Sequence, residues 1–148
     1  MLVIRDMTLA DCEAVAALDK EAFSKPMSAE GYQREYTNPN STTLIADLDG
    51  SVIGFANIWN ICGDVTLNNI AVTASQRSNG AGTALMREMF VRFAGCDFIT
   101  LEVRASNEGA IRFYKRFGFR QVGLRRDFYD LPKEDALLMT VYLEDARR

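Results

Sequence analysis

Residues 101–119 read LEVRASNEGAIRFYKRFGF, and the succession of residue types in this stretch decides the fold class. Leu101 and Val103 alternate with Glu102, the two-residue period of a strand with one apolar face. With FIT before them, they predict a strand over about 98–103. Arg104-Ala105-Ser106-Asn107 is turn chemistry, and Asn107 is a favourable helix N-cap. Ala110, Ile111, Tyr114 and Phe117 then recur as an apolar stripe until Gly118 stops the helix. Strand running straight into helix is the vocabulary of an α/β domain.

The flanking sequence repeats it. Leu85, Met89 and Phe93 lie at helical spacing in TALMREMFVRFA (83–94), and VTLNNIAV (65–72) reads as a strand. TTLIADLDGSVIGFANIWNI (42–61) holds two β-rich runs around Asp49-Gly50, a strong hairpin signal. Towards the N-terminus, LVIR (2–5) is a short strand, and Thr8 with Asp11 makes a near capping box for a helix over 9–22. Pro26 breaks the pattern, and Ser28 caps a second helix to about Thr37. RQVGLRRDF (120–128) and ALLMTVYL (136–143), separated by the turn DLPKED, supply the last two strands. The order is β-α-α-β-β-β-α-β-α-β-β, with no repeat, linker or low-complexity tract. One α/β domain over residues 1–148 is predicted, with a mixed, mostly antiparallel central sheet and about four flanking helices.

Composition narrows the chemistry. The 148 residues are 48% hydrophobic, enough for one real core. No apolar run approaches the roughly 18 residues of a membrane span, and the N-terminus lacks the basic and apolar regions of a signal peptide. A cytoplasmic protein without a membrane role is expected. Three cysteines (Cys12, Cys62, Cys96) match neither a disulfide framework nor a zinc site, and read as reduced, buried thiols. There is no histidine, which excludes Ser-His-Asp and Cys-His catalysis and histidine-ligated metals. Proton transfer is left to Glu, Asp, Tyr, Lys, Cys or water.

Charge is uneven along the chain. Between Arg104 and Arg126, seven basic residues face Glu108 alone, a net +6, against −9 for the remainder of a chain of net charge −3. A solvated helix face accounts for this; so does a polyanionic cofactor nearby. Nucleic acid is not indicated, because the domain is acidic and has no interleaved aromatic-basic platform.

RSNGAGT (77–83) lies between a strand and a helix. Its glycines permit tight turning, and a helix start offers unpaired N–H groups suited to a diphosphate. Taken alone the pattern is weak; it is neither a P-loop nor the dinucleotide fingerprint. NIAVTASQRSNGAGTALM nevertheless resembles the acetyl-CoA signature of the GCN5-related N-acetyltransferases (GNAT), Arg/Gln-x-x-Gly-x-Gly/Ala, filled by Arg77, Gly80 and Gly82. LEVRASNEGAIRFYKRFGF with RRDFY, PKEDALLM, EAFSKPMS and YTNPN resembles the RimI-type alanine N-acetyltransferases, which modify the N-terminus of a ribosomal protein. The likeness covers essentially the whole chain, although Met27 stands where members commonly carry Trp.

The resemblance implies an acetyl-CoA-dependent N-acetyltransferase with no metal, acting on a protein or peptide N-terminus by direct attack on the thioester. It implies that the backbone of Ile70, Ala71 and Val72 lines the pantetheine and thioester. The loop Ser78, Asn79, Gly80, Ala81, Gly82 and Thr83 would hold the diphosphate, Arg77 would also bind the cofactor, and Asn107 would bond the pantetheine arm. Glu102 would be the general base, through a water, and Tyr114 the general acid at sulfur. On residues alone, a strand glutamate ordinarily points to water, Asn107 is a helix cap and Tyr114 is core.

Reference values favour an α-amine: with a pKa of about 8, roughly a tenth is neutral at pH 7, against well under a thousandth of a lysine. A small-amine acceptor or a non-catalytic acyl-CoA-binding module are the alternatives. An open groove around Met27 and Tyr129 would favour a peptide. Residues 11–50 hold eight acids (Asp11, Glu13, Asp19, Glu21, Glu30, Glu35, Asp47, Asp49) against three bases, so a basic peptide is favoured if that surface faces the acceptor.

Overall fold

The computed structural model describes residues 1–143, apart from the side chain of Ser78. Strands β1 (Leu2–Asp6), β2 (Ser41–Leu48), β3 (Ser51–Ile61), β4 (Asp64–Val72), β5 (Phe98–Arg104), β6 (Arg120–Asp130) and β7 (Lys133–Tyr142) form one sheet in the order β1-β2-β3-β4-β5-β7-β6. The β4–β5 pair is parallel and the other pairs are antiparallel. Helices α1 (Cys12–Ala22), α2 (Ala29–Thr37), α3 (Ala81–Arg92) and α4 (Glu108–Arg116) complete the α/β fold predicted from the sequence.

Local chemistry places the element ends. Thr8 donates through its amide and hydroxyl to Asp11 (2.7 and 3.0 Å), and Arg5 on β1 clamps the same carboxylate bidentately at 2.7 and 3.0 Å. That ion pair holds the Asp11 carboxyl down at about 2. The helix predicted over 9–22 therefore opens as a 3-10 turn, Leu9–Asp11. Ser28 caps α2 and Asn107 caps α4, each accepting a backbone N–H at 3.1 Å. Asp49-Gly50 turns β2 into β3 with φ of 51° and 91°, the positive pair that a two-residue hairpin needs. Cys62-Gly63 turns β3 into β4 with almost the same angles, so Cys62 is exposed rather than buried as expected.

The two sheet faces bury separate clusters. Leu85, Met86 and Met89 of α3 pack with Ile58, Ile99, Leu101 and Met139 on one face. Val15 and Leu18 of α1 and Tyr32 of α2 pack with Ile45 and Phe55 on the other. At roughly 1.5–3 kcal/mol per fully buried apolar side chain, these clusters supply the main stabilisation.

Candidate active site

Parallel pairing between β4 and β5 runs through Val65↔Ile99, Thr66↔Thr100 and Leu67↔Leu101, and stops there. Beyond it β4 stays with β3 as far as Val72↔Gly54, while β5 stays with β7 through Glu102↔Leu138 and Arg104↔Ala136. A bulge at the parting point inserts Asn68 between the pairs Leu67↔Ile58 and Asn69↔Asn57, which bends β4 away. Its side chain donates to Asn57 Oδ1 at 3.0 Å, and Asn57 in turn donates to Ser41 and Thr43.

Backbone direction along the open edge follows from strand alternation. The Thr73 amide donates to Ile53 O at 2.8 Å, so Ala71, two residues earlier, also faces β3. Ile70 and Val72 turn their N–H and C=O groups the other way, into the gap. Arg77 Nε reaches the Val72 carbonyl from that side at 3.4 Å. Two backbone donors thus stand unpaired, among the described residues, at the mouth of a V.

A cleft of about 550 Å³ opens at this V, and Ile70, Glu102, Asn107 and Tyr114 all line it. Glu102 points off the core face of β5, half-buried, with Oε1 3.6 Å from Arg125 Nε. The Asn107 oxygen is used by its cap, leaving its NH2 to donate outward. Tyr114 is buried between the rings of Phe113 and Phe119, at 5.7 and 5.8 Å. Its hydroxyl makes no hydrogen bond among the described residues, yet no buried side-chain polar atom lacks a partner, so the hydroxyl opens into the cleft. Burial, and then the neighbouring Tyr129, push this phenol well above its ordinary pKa.

Past Val72 the chain makes a 3-10 turn (Ala74–Asn79), which the sequence suggested only as loop, and enters α3 at Gly80. Gly80 has φ +74° with open space around it, a conformation that L side chains avoid. No side chain caps α3, so the amides of Ala81, Gly82 and Thr83 lack intrahelical acceptors. A Cβ on Gly82 would meet the Phe113 ring at 3.4 Å, and Ala81 is packed in the core. Asn79 bonds back to Gln76. These groups do not line the 550 Å³ cleft; they stand beyond the end of β4, where a chain lying along its open edge would arrive. Bare amides, a helix start and no obstructing side chain suit a diphosphate.

The opposite wall comes from the β6–β7 hairpin and the segment between α1 and α2. A register shift between Arg125 and Tyr129 brings Phe128 and Tyr129 to the cleft. Arg104 locks this wall: it donates to Leu131 O, Pro132 O and Ser24 Oγ at 2.8–3.1 Å and stacks 4.3 Å from the Tyr129 ring centroid. Lys25 pairs with Asp130 across the rim. Burial first, and then the Glu102 charge, raise the Tyr129 pKa. In the sequence Arg104 counted only as one charge of a basic run; its place at a strand end facing a turn was the available signal.

Two acceptor-side expectations change. Met27 packs onto Gly31 and does not line the cleft. The acidic front is largely consumed by structure: Asp11 and Asp47 pair with Arg5, Glu35 accepts from Trp59 and Ser41, Glu21 accepts from Ala74 N, and Asp49 pairs with the N-terminal ammonium. Asp19 alone of the eight acids lines the cleft. Among the described residues no cluster of three or more His, Cys, Asp or Glu is placed to hold a metal, and no helix is long and apolar enough to cross a membrane.

Residues 12–119 match the acetyltransferase (GNAT) family. The chain is 30% identical over 149 residues to the ribosomal protein bS18 alanine N-acetyltransferase of Escherichia coli, covering 95% of this chain and 97% of that one. It is also 30% identical to the N-alpha-acetyltransferase RimI of Mycobacterium tuberculosis, over 93% and 90% of the two chains. The E. coli ribosomal-protein-S18-alanine N-acetyltransferase crystal structure superposes with a TM-score of 0.88 at 27% identity, covering 97% and 94%. The fold is shared as well with Arabidopsis thaliana NAA60 in complex with acetyl-CoA, at a TM-score of 0.86 and 21% identity over 97% and 99%.

Proposed function

The chain belongs to the acetyltransferase (GNAT) family, and on that premise we propose that residues 1–148 act as one catalytic domain moving the acetyl group of acetyl-CoA to the N-terminal α-amine of a protein. One observation carries the reading: β4 and β5 part beside Glu102 and Tyr114, which leaves the outward backbone donors of Ile70 and Val72 on the open edge of β4, with Ile70 lining the cleft. The names of the E. coli and M. tuberculosis relatives support an α-amine acceptor, and the former a ribosomal protein. Such an acceptor places the enzyme in the cytoplasm.

Bound acetyl-CoA supplies an acetyl group activated on sulfur; the chain supplies everything else. The Ile70 and Val72 amides hold the acetyl oxygen as negative charge gathers on it, as oxyanion-hole donors do. The Asn107 NH2 and the free edge around Ala71 hold the pantetheine arm, Ser78 to Thr83 hold the diphosphate, and Arg77 also binds the cofactor. Glu102 takes the ammonium proton through a water. The amine nitrogen then bonds to the carbonyl carbon, the C–S bond breaks, and the proton that the nitrogen sheds as the amide forms passes to the departing sulfur, which leaves as thiol. With its pKa raised, the Tyr114 phenol stays protonated but is a poor acid towards a thiolate of ordinary pKa about 8.5. It therefore acts mainly by a hydrogen bond to sulfur as charge develops.

The test follows thiol release from acetyl-CoA with three acceptors: an alanine-led basic peptide, the same peptide Nα-blocked but retaining lysine, and spermidine. Turnover of the free peptide alone is expected. Turnover of spermidine instead would reassign the enzyme to small amines, and CoA binding without any turnover would make it a binding module.

A further inference from the structure

We infer that Asp19 is the docking point for the acceptor's α-ammonium group, an inference that rests on the amine-acetylating reading above. Asp19 sits on α1 at 2% exposure and still lines the cleft. Both of its hydrogen bonds go to one oxygen: Oδ2 accepts the Tyr32 hydroxyl at 2.7 Å and the Met27 amide at 3.1 Å. Among the described residues Oδ1 receives no bond and no cation pairs with this side chain. Since no buried side-chain oxygen lacks a partner, Oδ1 must open into the cleft.

A bland role accounts for half of this arrangement. Oδ2 ties the segment after α1 to α2, and an asparagine oxygen could accept the same two bonds. The negative charge is surplus to that task, and burying a carboxylate without a cation is unfavourable. The cleft supplies what the protein does not: room for a cation that arrives with the substrate. Position agrees, because Asn69, which precedes Ile70 on the open edge, lines the same cleft as Asp19. An ammonium on Oδ1 stands beside the strand that would hold the acetyl oxygen, with Glu102 on the neighbouring strand to relieve it of a proton. Because Asp19 favours the charged amine over the neutral one, its contribution falls on binding and not on the chemical step.

The experiment measures binding, with CoA present, of an alanine-led peptide and of its N-terminal lactyl analogue, in which a neutral hydroxyl replaces the amine. Wild type is expected to prefer the amine by about tenfold or more, and Asp19→Asn to bring the two within about twofold. In turnover, the variant's peptide KM should rise about tenfold with kcat within about threefold, and CoA binding should stay unchanged. Tyr32→Phe, which keeps the charge, should keep the preference. If Asp19→Asn retains the wild-type preference, the inference is overturned. Should that variant not fold, the Asp19 carboxyl resonance of 13C-labelled wild type decides: it moves with the amine peptide and not with the lactyl peptide, and equal response to both overturns the inference. A wild type that binds spermidine and no peptide would refute the peptide acceptor alone; Asp19→Asn must then weaken spermidine about tenfold, and unchanged affinity would overturn the docking role as well.

Discussion

The β4–β5 pair is closed at one end and open at the other, and the two ends are built from opposite materials. At the closed end Val65, Leu67, Ile99 and Leu101 are at most 3% exposed and sit in the cluster beneath α3. At the open end Asn69, Ile70, Glu102 and Arg104 are half-buried and polar groups face the cleft. Unpaired backbone donors are unfavourable wherever water cannot reach them. Here the gap admits solvent, and the packed end fixes both strands so that the gap keeps its shape. Two tyrosines show the same division. Tyr32 is fully buried and donates to Asp19; Tyr114 is nearly as buried, and its hydroxyl makes no hydrogen bond among the described residues. One is spent on the fold, and the other is held ready for a ligand.

The largest way to separate the ends is Ile99→Ala. It should cost about 2–5 kcal/mol of stability in denaturant unfolding, with turnover per folded molecule within about threefold. Lost turnover at full stability would erase the distinction between the ends. Tyr114→Phe should do the reverse, lowering kcat about a hundredfold with a melting temperature near that of wild type. Glu102→Gln should lower kcat/KM at pH 7 by about ten- to a hundredfold. That deficit should shrink by pH 9, because an α-amine of pKa about 8 then loses its proton unaided; a constant deficit would argue against a proton role.

Gly80→Ala forces a side chain into a positive-φ position. It should cost about 1–2 kcal/mol, read as a raised acetyl-CoA KM with peptide KM unchanged. The smallest effect lies far from the V, at Arg5–Asp11. The folded-state pKa of Asp11 is depressed to about 2, so its contribution is complete above the unfolded value of about 4 and fades as pH falls through 2. After discounting for the part-exposed arginine, Asp11→Asn should lose about 1 kcal/mol at pH 7. Acid melts of variant and wild type should converge near pH 2, with kcat unchanged throughout.

Most of the fold was legible because its signals are local. Alternation in Leu101-Glu102-Val103, the helical stripe of Leu85 and Met89, the Ser28 and Asn107 caps and the Asp49-Gly50 turn each act within a few residues. Cys62-Gly63 was missed although it carries the same second-position glycine; a cysteine at the first turn position hid the parallel. The gathering of Ile70, Glu102, Asn107 and Tyr114 in one cleft came from likeness to a family, since residue patterns left each of them an ordinary alternative. Asp19 and Arg104 were invisible as site residues. What distinguishes them is a free carboxylate oxygen and a set of carbonyl partners 27 and 28 residues away, neither of which a linear pattern records. The acidic front misled for the same reason, because composition counts charges without showing which are already paired.

Amide hydrogen exchange along β4, read residue by residue with and without acetyl-CoA, tests the open edge most directly. Without ligand, Ile70 and Val72 should exchange quickly while Leu67 and Ala71 are protected. With acetyl-CoA, Ile70 and Val72 should become protected and the other two should hardly change. Protection of Ile70 and Val72 in the free protein, or their indifference to acetyl-CoA, would contradict the account.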